Sequence, residues 1–213
     1  MPKKNIRKYI ERPLKNGLYD PQFEKDSCGV GLVANIKGVP SREIMEDAYI
    51  INSRMDHRGG CGFEENTGDG AGILMALPDQ FFQKEAKKLN LNLPEKGLYA
   101  VGNIFLPQIK KSRTLCKLII KRIIEEENLV LAGWREVPVD PEGANVGPAS
   151  RDAQPFIEQL FVKAKISKDH DAFDKKLYLV RKKFTHKIKT DSEIKQSSMF
   201  FACSLSSKVI TYK

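Results

Sequence analysis

The chain has 213 residues, 41% of them hydrophobic and 30% charged, which is the composition of a globular protein with one domain and a sizeable core rather than of a disordered or fibrous chain. A formal net charge of +9 raises nucleic acid or an anionic membrane as partner. The basic residues cluster at positions 3–15, 110–122 and 163–195, interleaved with acidic and apolar ones, as on solvated helix faces; with no RNA-binding aromatic signature and no zinc finger, neither partner is expected.

No run reaches the roughly eighteen apolar residues of a membrane span, and the charged start is unlike a secretory signal, so a cytoplasmic protein is expected. Cys28, Cys61, Cys116 and Cys203 are too widely spaced for a disulfide framework or a structural zinc site. Each is therefore either a small buried residue or a reactive thiol.

Residues 1–27 read as a basic leader broken by Pro13, Asn16-Gly17 and Asp20-Pro21. An apolar run over 28–36 predicts a buried strand, with Gly29 and Gly31 permitting close backbone approach. Ser41 reads as the cap of a helix whose Ile44, Ala48, Ile51 and Met55 share one face. Two glycine-dense loops follow, His57-Arg58-Gly59-Gly60-Cys61-Gly62 and Thr67-Gly68-Asp69-Gly70-Ala71-Gly72.

Beyond them the pattern predicts a strand over 73–77, a helix over 79–89, a strand over 98–106, a basic amphipathic helix over 112–128 and a strand over 129–139. A loop over 143–153, a strand over 155–163, a helix over 169–187 and a hairpin of strands 198–205 and 209–212 complete the chain. Periodicity establishes mixed α and β, with no internal repeat.

A cysteine at a strand start is either packing or a nucleophile. At Cys28 a polar, breaker-rich leader gives way to an apolar run at the thiol itself, as for a residue exposed by processing. Cleavage after Ser27 would give Cys28 a free α-amine, ordinarily titrating near 8, able to take the thiol proton. Arg58 is either a structural arginine closing a helix or a planar fork for a carboxylate. The Gly-rich run at 68–72 lacks the Gly-Lys-Ser/Thr ending of a phosphate loop. Asp69 belongs either to a pocket-lining loop or to a tight turn. Cys61 reads as packing or bystander, Cys116 and Cys203 as core, and His170 and His186 as exposed helix residues.

The segment from Leu18 through Asp26-Ser27-Cys28-Gly29-Val30-Gly31, the His57-Arg58-Gly59-Gly60 and Thr67-Gly68-Asp69-Gly70-Ala71-Gly72 motifs, the stretch Gly133-Trp134-Arg135-Glu136-Val137-Pro138-Val139 and the last ten residues together resemble the start of the large subunit of the glutamate synthase family. The resemblance implies a class II amidotransferase of the N-terminal-nucleophile hydrolase type: an α+β domain with an αββα sandwich, incomplete here, running over 28–213 behind a leader at 1–27. It further implies Cys28 as the catalytic nucleophile toward L-glutamine, Arg58 as a substrate-binding residue and His57 as structural. Ammonia released through a cysteinyl thioester would serve reductive amination of 2-oxoglutarate in glutamate biosynthesis.

For the full-length enzyme the resemblance implies FMN, an iron–sulfur cluster, a reduced electron donor with its partner protein, and the remainder of the large chain; no cofactor is expected within these residues and no metal. The family's oxyanion-hole Asn-Gly lies later in the domain, and the one Asn-Gly here is Asn16-Gly17 in the leader. The expectation is therefore a fragment of the glutaminase domain, inactive alone. The alternatives are a class II amidotransferase with another acceptor and a non-catalytic interaction module.

Overall fold

The computed structural model describes residues 29–55, 59–60, 62, 64, 67–165 and 169–212. Its largest core follows from helical spacing: Cys116, Ile120, Ile123 and Ile124 line one face of a helix over Lys110–Glu126, and Phe173, Leu177, Val180, Phe184 and Ile188 line one face of another over His170–Thr190. Both faces bury against one side of a four-stranded antiparallel sheet, contributed by Ala100, Ile104, Leu106, Leu160 and Val162.

In chain order the elements are α1 (Arg42–Arg54), β1 (Ile73–Ala76), α2 (Asp79–Lys88), β2 (Tyr99–Leu106), α3 (Lys110–Glu126), β3 (Leu129–Glu136), α4 (Pro148–Asp152), β4 (Phe156–Ala164), α5 (His170–Thr190), a 3-10 turn at Ser197–Met199, β5 (Phe201–Ala202) and β6 (Val209–Tyr212). The large sheet has the order β3-β4-β2-β5, while β1 and β6 form a separate two-stranded antiparallel ribbon. Ile73 pairs with Tyr212 and Ala76 with Val209. A register shift between Leu131 and Gly133 bulges β3.

Because side chains alternate along a strand, Tyr99 and Val101 of β2 face away from α3 and α5. With Phe161 they meet Leu77, Phe82, Ala86, Leu93 and Ile210 in a second core under β6 and α2. Phe82 and Phe161 stack edge to face, 5.6 Å between centroids. Tyr99 is buried, and its hydroxyl donates to Asp79 Oδ1 at 2.7 Å. Burial and that carboxylate push the phenol far above its ordinary range.

Three expectations need correction. Residues 29–36 form no strand, and Val30 and Leu32 are 89% and 88% exposed. An apolar run becomes a strand only where a neighbour takes its backbone hydrogen bonds, and the paired strands among the described residues do not include it. The expected hairpin of the last two strands is also absent: β5 pairs with β2, and β6 pairs with β1. The chain crosses between sheets where Gly102 leaves room for the Ser204 carbonyl, which a Cβ there would meet at 2.2 Å. Third, the loop expected over 143–153 contains helix α4, with Pro148 at its start.

Candidate functional site

Ser41 caps α1 as expected, its Oγ accepting from the Ile44 amide at 3.3 Å. The helix buries no residue fully; Ile44, Ala48, Ile51 and Met55 form a half-buried face. Against the end of that face lies the chain that follows Cys28. A Cβ on Gly31 would sit 2.2 Å from Ile51 Cγ2 and 2.8 Å from Met55 Cε, so a side chain there would push Ile51 and Met55 aside. Gly31 is three residues after Cys28, and Met55 three before Arg58. The flanks of the two motifs are therefore side by side. Cys28 and Arg58 themselves lie outside the described residues, as do the leader, His57 and Cys61.

The loop after Arg58 is organised by polar contacts. The Gly60 amide donates to Asp69 Oδ2 at 2.9 Å, and the Asp69 amide returns a bond to the Gly60 carbonyl at 3.0 Å. The Gly62 amide donates to the Thr67 carbonyl at 2.6 Å, and Thr67 Oγ1 to the Glu64 carbonyl at 2.8 Å. These bonds bring the two glycine-rich motifs together. They place Asp69 in a turn, and it also lines the cleft beside that turn, so the two readings left open by sequence meet in one residue.

Sequence reading missed Glu64. Its carboxylate accepts from the amides of Ala149, at 2.8 Å, and Ser150, at 3.2 Å, in the first turn of α4. No local signal marks a bond spanning 85 positions. A cleft of about 400 Å³ lies here, lined by Gly60, Gly62, Thr67, Asp69, Ala149 and Ser150 among others.

A second polar cluster fills the space between the sheets beyond the apolar core. Arg135 on β3 bonds Glu85 on α2 at 3.0 Å and Gln159 on β4 at 3.1 Å, and Gln159 reaches Tyr212 on β6 at 3.2 Å. Hydrogen bonds from Lys88 and then Arg135 hold the Glu85 carboxyl below its ordinary range, while burial raises the Tyr212 phenol. This network ties α2 and both sheets together.

Cys116 lies in the main core, where burial above all pushes its thiol up to about 11 and leaves it protonated at neutral pH. Cys203 is half-buried after β5, its amide donating to the Asn103 carbonyl at 3.0 Å. His186 is exposed on α5, and the His170 ring nitrogen Nδ1 lies 3.1 Å from the Gly97 carbonyl. Among the described residues no helix is long and apolar enough to cross a membrane.

The sequence matches the class-II glutamine amidotransferases over residues 28–213, and the chain belongs to that family. Its relatives include the large chain of the NADPH glutamate synthase of Bacillus subtilis, 40% identical over 206 residues, covering 96% of this chain and 13% of the relative. Ferredoxin-dependent glutamate synthase 1 of Arabidopsis thaliana is 38% identical over 202 residues, covering 95% and 12%. The NADH glutamate synthase of Saccharomyces cerevisiae is 38% identical over 209 residues, covering 94% and 9%. The chain thus spans 9% to 13% of these relatives' length. The mixed helix and sheet content agrees with an α+β amidotransferase.

Proposed function

We propose that residues 28–213 are the N-terminal part of the glutaminase domain of a glutamate synthase large chain, with an αββα sandwich. The family match over residues 28–213 carries this reading, and the contact of Gly31 with Ile51 and Met55, which sets the flanks of the Cys28 and Arg58 motifs against each other, supports it. The layering of α3 and α5 on one sheet, and of the β1–β6 ribbon on that sheet's other face, supports the sandwich.

In this reading cleavage after Ser27 frees the α-amine of Cys28, which takes the thiol proton as Sγ attacks the side-chain amide carbon of L-glutamine. The proton passes to the amide nitrogen, the C–N bond breaks, and ammonia leaves a glutamyl thioester. Water then adds to the thioester and glutamate departs with the thiol restored. The Arg58 guanidinium pairs with the substrate carboxylate. Ammonia goes on to reductive amination of 2-oxoglutarate on another part of the full enzyme, in the cytoplasm.

The described residues do not fit an iron–sulfur cluster: no group of three or more His, Cys, Asp or Glu side chains among them is placed to hold a metal. Flavin, cluster and the site for an electron-donating partner belong, in our reading, to the remainder of the large chain. A further point of this reading is that the 213 residues alone hydrolyse glutamine poorly; the exposure of the apolar Val30 and Leu32, close after Cys28 in sequence, among the described residues supports it.

Glutamine hydrolysis by the full protein, compared with Cys28→Ala, tests the assignment together with N-terminal sequencing of the mature chain. Loss of hydrolysis in the variant and a mature start at Cys28 are expected. Undiminished hydrolysis by Cys28→Ala would overturn the assignment. Brisk hydrolysis by the 213-residue chain would overturn the point about its isolated activity.

A further inference from the structure

We propose that this chain associates with a second copy of itself, front to back, the acidic outer face of α1 on one copy meeting the basic outer face of α5 on the next. The inference is independent of the glutaminase reading. On α5 the buried side chains Phe173, Leu177, Val180, Phe184 and Ile188 take one side. Helical spacing therefore puts Lys175, Lys182 and Lys189 on the opposite side, successive ones about 10 Å apart along the axis. Tyr178 and Leu179 stand exposed between the first two. The helix's own carboxylates, Asp171 and Asp174, turn to Lys208, at 3.5 Å and 3.0 Å. Its other ion pairs are those of Lys183 with Glu127 and Lys187 with Asp191, which leave Lys175, Lys182 and Lys189 without a carboxylate among the described residues. On α3, by contrast, Lys121 and Arg122 each meet a glutamate four residues on, at 3.9 Å and 2.8 Å.

The counterpart is α1. Away from its half-buried face it carries Glu43, Glu46 and Asp47, with Tyr49 and Ile50 exposed beside them. Arg42 takes Glu46 at 3.0 Å, and no ion pair among the described residues takes up Glu43 or Asp47. Within one chain the two faces are kept apart: α5 packs on one side of the large sheet, and α1 contacts β1 of the ribbon that lies on the sheet's other side. Opposite charge around exposed apolar side chains gives two surfaces that fit each other and can meet only between copies. Because the contact joins two different faces, association through it continues past the dimer unless the copies close a ring.

Sedimentation velocity of the 213-residue chain over a dilution series tests the proposal. Mean mass should rise with concentration. The apparent dissociation constant should increase by about tenfold between about 0.1 M and about 1 M salt, as the screening length falls from about 10 Å to about 3 Å. Lys182→Glu and Asp47→Lys alter exposed residues, and each alone should weaken association by about fivefold or more by setting like charges together. An equimolar mixture of the two variants should restore it, because each altered face then meets one of opposite charge. Association that is independent of salt and indifferent to both substitutions would overturn the proposal and point to the exposed Val30 and Leu32 instead. A monomer at every concentration, or a mixture no better associated than its components, would also overturn it.

Discussion

Two regions of this chain are held by different forces. The body, built from the large sheet with α3 and α5, is ordered by fully buried side chains such as Ile120, Leu177, Val180 and Phe184. The region from 29 to 69 has half-covered apolar side chains on α1, exposed ones at Val30 and Leu32, and glycine loops fastened by Asp69, Thr67 and Glu64. Apolar burial is non-directional and supplies stability, whereas hydrogen bonds to backbone amides fix the place of a loop. Of the residues assigned to chemistry, Cys28 immediately precedes the second region in sequence and Arg58 falls within its span. Stability and site geometry are thereby carried by separate sets of residues, and substitutions should separate them.

The largest expected difference comes from removing a core ring. Phe184→Ala should cost about 3–5 kcal/mol in urea unfolding, because Phe184 is fully buried and stacks edge to face on Phe200, 6.0 Å between centroids. A smaller effect is expected in the second core. Tyr99→Phe leaves the ring but removes the bond to Asp79, a loss of about 1–3 kcal/mol for a hydrogen bond to a charged partner. Its pH signature has a definite sign. The folded state raises the Tyr99 pKa, so the stabilisation is complete below the ordinary tyrosine value near 10 and declines as pH rises above it. Tyr99→Phe should therefore flatten the alkaline limb of the stability profile.

The smallest effect sharpens the contrast. Leu32→Ala should change the unfolding free energy in urea by less than about 0.5 kcal/mol, as at other exposed sites. A loss matching that of Phe184→Ala would remove the distinction between the regions.

Much of the body was legible because period and burial coincide there. The apolar spacing of Phe173, Leu177, Val180, Phe184 and Ile188 marks a helix face, and the structure buries it. The Ser41 cap was equally readable, since capping depends on the next three residues. What was misread depends on partners distant in sequence. Residues 29–36 carry the apolar content of a strand, but a strand needs a neighbour, which the run itself does not specify. The pairing of β6 with β1 rather than β5 rests on a crossing permitted by Gly102.

The site divides in the same way. The nucleophile was suggested by the change from leader to apolar run and by the family resemblance, the arginine by the resemblance, and both lie outside the described residues. The meeting of their flanks at Gly31, and the anchoring of the loop by Glu64, are tertiary facts without a local signal. Pro148 after Gly147 was a readable helix start that passed for a loop because α4 has only five residues.

The most direct test of the account is thiol labelling of the full protein with a glutamine-like electrophile at pH 7.5 (a chosen assay condition, about one unit from the ordinary thiol pKa), read by peptide mass spectrometry with and without excess L-glutamine. Cys116 should stay unlabelled, its thiol being buried and pushed up to about 11. The account predicts rapid modification at Cys28, suppressed by glutamine. Labelling of Cys28 no faster than Cys203, with no protection by glutamine, would contradict it.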